Sequence, residues 1–220
     1  MKYLGWGVFY EGETDAAYLD VLIPRIIRDV IASGKGEDII EVPDQPSARL
    51  GRKSRTVENV AAEACEFFDA FEIVFVHSDT GGRGLEQTLD CRSSSFCEAM
   101  TARCDIEDFR CICLTPRHET EAWVLADGQA VLSAVGVNGS LAAYGLPSSP
   151  QAAEGLLDPK RTLADALDAM NVRARTRHAE LLFPAIANAQ RLTELYRAPT
   201  IRTFRDRVKQ ALVGGNFLDP

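Results

Sequence analysis

Apolar and polar positions follow two alternating regimes along this chain. Continuous apolar runs over residues 3–10, 73–77 and 111–115 read as strands buried in a sheet. Between them, Leu19, Leu22, Ile23, Ile26, Ile27 and Val30 recur at helical spacing, and Val57, Val60, Ala61, Ala64, Cys65 and Phe68 do so again. Thr14 or Asp15 is placed to cap the first helix. Pro24 is expected to kink or restart it. Residues 38–42 read as a short strand, 43–54 as a loop, and 85–104 as a helix with a break near 92–95. After a helix at 120–126, residues 136–152 are rich in Gly, Ser and Pro and read as loop with room for one short turn of helix. From Thr162 onward the pattern is helical. Its stripes are Leu163, Ala166, Leu167 and Met170, then Leu182, Ile186, Ala189, Leu192 and Leu195 or Tyr196, then Phe204, Val208 and Leu212. The alternation β-α-β-α-β-α-β predicts an α/β fold with a mostly parallel four-stranded sheet flanked by helices. It would occupy residues 1–127, with residues 128–220 a helical extension packed on it.

Each of the three main strands runs into acidic residues. The first ends in Glu11-Gly12-Glu13-Thr14-Asp15, the second in Ser78-Asp79-Thr80-Gly81-Gly82, the third in Pro116-Arg117-His118-Glu119-Thr120-Glu121. Side chains at the carboxyl ends of neighbouring parallel strands converge in one crevice. Converging carboxylates suit a hard divalent cation that also holds substrate phosphate. Glu11 and Asp79 form the leading pair, and Asp15, on the first helical turn, can point into the same crevice. These three are the candidate metal ligands, for Mg2+ or Mn2+. Glu119 and Glu121 face one side if extended and would complete the catalytic set. Alternatively, they open a helix, where acids favour the positive dipole end. Glu11 and Asp79 also fit turn chemistry. Such a cluster would activate water and neutralise a phosphoryl group.

Arg49, Arg52, Lys53 and Arg55 fall in one loop. Arg52, Lys53 and Arg55 are candidates to hold a polyanionic substrate, against the reading of a solvated loop. His77 and His118 each flank a candidate acid. A general base, a phosphate contact or a structural group is open for either, and His118 joins the substrate-binding candidates. Gly81-Gly82-Arg83-Gly84 is a weak phosphate-loop signal. Neither a Walker-type phosphate loop nor a Gly-x-Ser-x-Gly elbow is present.

The hydrophobic fraction of 46% supports a real core, and a formal charge of −8 argues against a simple basic nucleic-acid binder. The charge is uneven: residues 1–150 hold 13 Lys and Arg against 24 Asp and Glu, and residues 151–220 hold 11 against 8. The six cysteines (65, 91, 97, 104, 111 and 113) include no Cys-x-x-Cys pair. They read as free, mostly buried thiols rather than a zinc site. No apolar run approaches the ~18 residues of a membrane span. The first residues read as a strand, not as a cleavable leader, so a cytoplasmic location with no membrane partner is expected.

Glu11-Gly-x-Thr-Asp15 followed by Tyr18-Leu19, Asp79 after a buried strand, and the segment from His118 to Asp127 together resemble a Toprim-like bacterial family of unknown function. So do Leu157-Asp-Pro-Lys160 and the stretch from Leu195 to Phe204. That family includes an effector of anti-phage defence and is distantly related to the overcoming-lysogenisation-defect nucleases. The resemblance implies a Toprim core that uses magnesium, with Glu11 as the glutamate after the first strand. Asp79 matches one aspartate of an Asp-x-Asp pair, and His77 stands where the other would be. Asp15 matches a second acid of the related nucleases.

Two functions follow as expectations. One is a metal-dependent nuclease acting on RNA or DNA, a possible role being that of a defence effector. The other is a catalytically degenerate binding module that docks a partner such as an ATPase, or a second copy of itself. A nucleotide phosphohydrolase is a weaker third.

Overall fold

The computed structural model describes residues 1–35, 38–81, 93–173 and 177–220. Gly82-Arg83-Gly84, Cys91 and the expected helix over 85–92 lie outside the described residues. A four-stranded, all-parallel sheet forms the centre, in the order β4 (Ala48–Leu50), β2 (Trp6–Phe9), β5 (Ile73–His77), β6 (Cys111–Leu114). β1 (Lys2–Tyr3) and β3 (Ile40–Glu41) make a separate parallel pair. The α/β class, the parallel sheet and the helical C-terminal part agree with the sequence reading.

Side chains alternate across the sheet, and the two faces carry two buried clusters. Trp6, Val8, Ile73, Phe75, Ile112 and Leu114 face one way, beneath α1 (Glu13–Ser33) and α10 (Pro199–Gly214). Phe9, Val74, Val76 and Cys111 face the other, against α2 (Val57–Glu66) and α3 (Ser94–Cys104). Both faces are therefore dry, which is why β5 reads as an unbroken apolar run.

The helices of the C-terminal part are α4 (Thr120–Val124), α5 (Gly128–Val135), α6 (Pro150–Glu154), α7 (Pro159–Ala169), α8 (Ala179–Ala189), α9 (Leu192–Leu195) and α10. They share one continuous buried cluster with the sheet, from Trp6 and Tyr18 through Trp123 to Ile186 and Phe204. Two polar connections cross this core. Gln190, buried after α8, accepts from Tyr18 Oη at 2.7 Å and donates to the carbonyls of Trp123 at 2.8 Å and Val124 at 3.1 Å. Trp123 Nε1 donates to Thr200 Oγ1 at 2.7 Å, and Thr200 donates to the buried Glu154 carboxylate. Every buried polar group in these two sets meets a partner, as a core of this kind requires.

Four expectations are corrected. The fourth strand of the sheet is Ala48–Leu50, inside the expected loop, whereas residues 40–41 pair only with β1. Three residues are too few to show a period. α1 runs unbroken through Pro24, which is buried along with Ile23, Ile26 and Ile27; packing of the apolar face holds the helix across the missing N–H. Its N-cap is Gly12, with no side-chain cap. The cysteines are not all free thiols. Cys65 is bonded to Cys104, and Cys97 to Cys111, across the α2–α3 side of the sheet.

Asp127, almost fully buried, is held by Arg191, whose Nε and Nη2 donate at 3.0 Å while its backbone N–H donates at 3.1 Å. Burial would raise this carboxyl, but the Arg191 hydrogen bonds and charge outweigh it and hold the pKa below the usual range. A depressed carboxylate stabilises the fold above its unfolded pKa of about 3.9, and that contribution is lost as pH falls through the folded value. Arg191→Ala should therefore lower stability at pH 7, because it leaves the buried Asp127 carboxylate without its charged partner. Urea unfolding at a series of pH values should show the gap to wild type closing below about pH 4.

Candidate metal centre

β2 and β5 pair with Phe9 opposite Val76, so both strands end at the same edge. Glu11 and Asp79, 68 residues apart, meet there: the Asp79 backbone N–H donates to Glu11 Oε2 at 3.0 Å. The turn after β5 is zipped to the segment after β6. Ser78 N–H reaches Leu114 O, Thr80 N–H reaches Pro116 O, and Gly81 N–H reaches His118 O. That zipper carries Glu119 to the same edge as Asp79.

The two-residue period of β5 puts His77 on the face of Ile73 and Phe75, under the first turn of α1. Asp15 sits on that turn. The ligand atoms of Asp15, His77 and Asp79 all lie within 4.8 Å of one another. His77 is fully buried, with Nε2 at 3.2 Å from Asp79 Oδ1 and 3.2 Å from Thr120 Oγ1. Its Nδ1 has no hydrogen-bond partner and faces Asp15 Oδ2 at 3.8 Å. Burial alone would lower the His77 pKa, but the Asp79 hydrogen bond and the charges of Asp15, Asp79 and Glu11 raise it above the ordinary imidazole value.

Glu119 and Glu121 flank the cluster. Glu119 stands at the N-cap of α4 without capping it, and Glu121 is buried in its first turn. The helix-opening reading of this pair therefore holds: both acids stand at the N-terminal end of α4. Burial pushes the Glu121 carboxyl up, and the Glu119 and Asp15 charges add to that. Lys160, at the start of α7, lies 3.6 Å from Glu121 Oε1 and is held above its usual value first by Glu121, then by Glu119 and Asp15.

The basic loop is organised differently. The buried Glu63 carboxylate accepts from the backbone N–H groups of Gly51, Arg52 and Lys53, at 2.7, 3.3 and 3.2 Å. Arg49 is engaged by Asp20, and Lys53 by Glu66 at 3.7 Å. Arg55 donates to the Glu11 carbonyl at 2.5 Å, which sets it against the acidic edge. It lines a cavity of about 150 Å³ with Tyr10, Arg49 and the exposed Arg52. It also lines one of about 460 Å³ with Glu11, His77, Ser78 and Phe96. His118 adopts φ 65°, and its backbone N–H donates to Thr80 Oγ1 at 2.7 Å. Its main chain thus clamps the Asp79 turn.

The structure brings together Glu11, Asp15, Asp79, Glu119 and Glu121, and adds two groups that sequence reasoning did not assign to the site. His77 becomes a potential ligand; its adjacency to Asp79 was the available signal. Lys160 enters from the helical part; the sequence singled it out only as the end of Leu157-Asp-Pro-Lys160, with no role attached. A His nitrogen beside two carboxylates fits a borderline cation such as Mn2+ better than Mg2+, which prefers oxygen alone. Comparison of the chain with family models, with curated proteins and with solved structures finds no match in any of the three.

Two measurements probe this centre. Mn2+ at about a hundred times its Kd should stabilise the fold by ~2.7 kcal/mol, read as a raised melting temperature. The cation must displace the proton that the acids favour on His77. Affinity should therefore climb by up to about tenfold per pH unit until pH passes the raised His77 value, then level off. Without metal the protonated imidazole stabilises the fold below pH ~6.5, and that contribution disappears as pH rises through the folded value. A Cβ on Gly12 would stand 2.9 Å from Asp15 Oδ2, so Gly12→Ala must push that oxygen aside. Calorimetric titration should show Mn2+ affinity falling by about tenfold or more while the metal-free melting temperature changes little.

Proposed function

We propose that this chain is a metal-dependent nuclease with a Toprim-like core, cleaving phosphodiester bonds of RNA or DNA. One observation carries the reading: the Asp15, His77 and Asp79 ligand atoms cluster within 4.8 Å at the carboxyl edge of a parallel sheet. A divalent cation bound there would supply Lewis acidity toward a phosphoryl oxygen and a more acidic water. Asp15, His77 and Asp79 would hold it, with Glu11 accepting from the Asp79 backbone N–H at one side. Glu121, whose carboxyl burial pushes up, or Glu119 beside it would accept a proton from water. Lys160 offers positive charge to the phosphate, and Arg55 and Arg52 steer the polyanion past an otherwise acidic rim. The resemblance extends this reading to a cytoplasmic defence effector whose nucleic-acid substrate is in that compartment.

A second reading rests on the same imidazole. Doubly protonated, His77 bridges Asp15 and Asp79 and is itself the cation of the cluster. The module would then bind a partner, such as an ATPase, without catalysis. Purified protein given Mn2+ and labelled RNA or DNA should cleave one of them. Glu11→Gln and Asp79→Asn should each lower the rate at least about a hundredfold. No cleavage, together with no Mn2+ bound at pH 8, would instead favour the binding module.

A further inference from the structure

Outside the acidic edge, the densest group of reactive side chains is the sulfur cluster between α3 and β6. Cys111 and Cys113 alternate on β6 and so point to one face. Cys97, in the first turn of α3, is disulfide-bonded to Cys111, with Cα atoms 5.6 Å apart. Cys113 carries a free thiol, and its Sγ lies 3.9 Å from Cys97 Sγ. One sulfur therefore stands within reach of two partners on the same strand. A cavity of about 420 Å³ opens on both strand cysteines, lined also by Ser94, Asp108 and Arg207.

We propose that Cys97, Cys111 and Cys113 form a thiol–disulfide exchange site in which Cys97 pairs alternately with Cys111 and Cys113. Cys113 gives its proton to water reached through the cavity, and its sulfur attacks Cys97 Sγ. The Cys97–Cys113 bond forms as the Cys97–Cys111 bond breaks. Cys111 leaves as a thiolate and takes up a proton. Electrons balance within the three sulfurs, with no outside oxidant or reductant. Burial raises the Cys113 thiol and the Arg207 charge opposes that rise. Exchange is therefore slow rather than forbidden.

The two pairings differ by two residues along β6, about 6.6 Å of strand. The move is toward the edge that carries the acids. Ser93, just ahead of α3, meets Ser78 Oγ at 2.5 Å, and Ser78 precedes Asp79. The proposal is independent of whether the acidic cluster cleaves anything.

The test is disulfide mapping by mass spectrometry on unreduced, alkylated protein in a Cys91→Ser background, which leaves no thiol outside the cluster and the Cys65–Cys104 bond. Cys111→Ser should carry a Cys97–Cys113 link, and Cys113→Ser a Cys97–Cys111 link. The parent held at pH 8.5 without reductant should give both linked peptides. Cys111→Ser that melts like the parent yet alkylates fully at Cys97 and Cys113 overturns the proposal. So does a parent that yields the Cys97–Cys111 peptide alone after prolonged incubation, and this arm stands even if the variant does not fold.

Discussion

The pairing of β2 with β5 in one parallel register is the constraint on which the site depends. Phe9 opposite Val76 ends both strands at the same edge. A slip of one residue would turn every side chain of β5 to the other face. His77 would then leave Asp15 and lie against α2 and α3. Burial on both faces prevents this, because Ile73 and Phe75 fill one cluster while Val74 and Val76 fill the other. The Asp79 N–H bond to Glu11 then joins the two strand ends after pairing has stopped. Packing chooses the register, and the register assembles the acids.

Charge crowding at that edge is offset from two directions. A buried imidazole sits among carboxylates, whose charges favour its protonated form, and a proton bound there reduces their mutual repulsion. Lys160 approaches from α7 and meets Glu121. The helical part of the chain therefore contributes to the electrostatics of an edge built by the sheet. Gln190 and Thr200 fix that part in place by bonding to the segment around Trp123, which directly follows Glu119 and Glu121 in the chain.

Much of this was legible in the residues themselves. β5, β6 and α1 announce themselves because burial on whole faces leaves unbroken or strictly periodic apolar patterns. Glu11, Asp15, Asp79, Glu119 and Glu121 were readable because each follows such an element at once. β4 was not, since Ala-Arg-Leu carries too little pattern. Lys160 was not assigned to the site, because only tertiary packing carries α7 to α4. The organisation of the basic loop was hidden for a related reason: its backbone is gathered by Glu63, ten or more residues further on, and Arg49 is taken by Asp20. Cysteine pairing is likewise a fact of three dimensions, invisible in spacing.

The Cys65–Cys104 bond has a topological consequence. It closes a covalent ring between residues 39 positions apart, and Asp79 belongs to that ring. A protease that severed the backbone once between the two sulfurs would release no fragment. The nicked chain would gain only the mass of one water and lose its continuity until a reductant opened the circle.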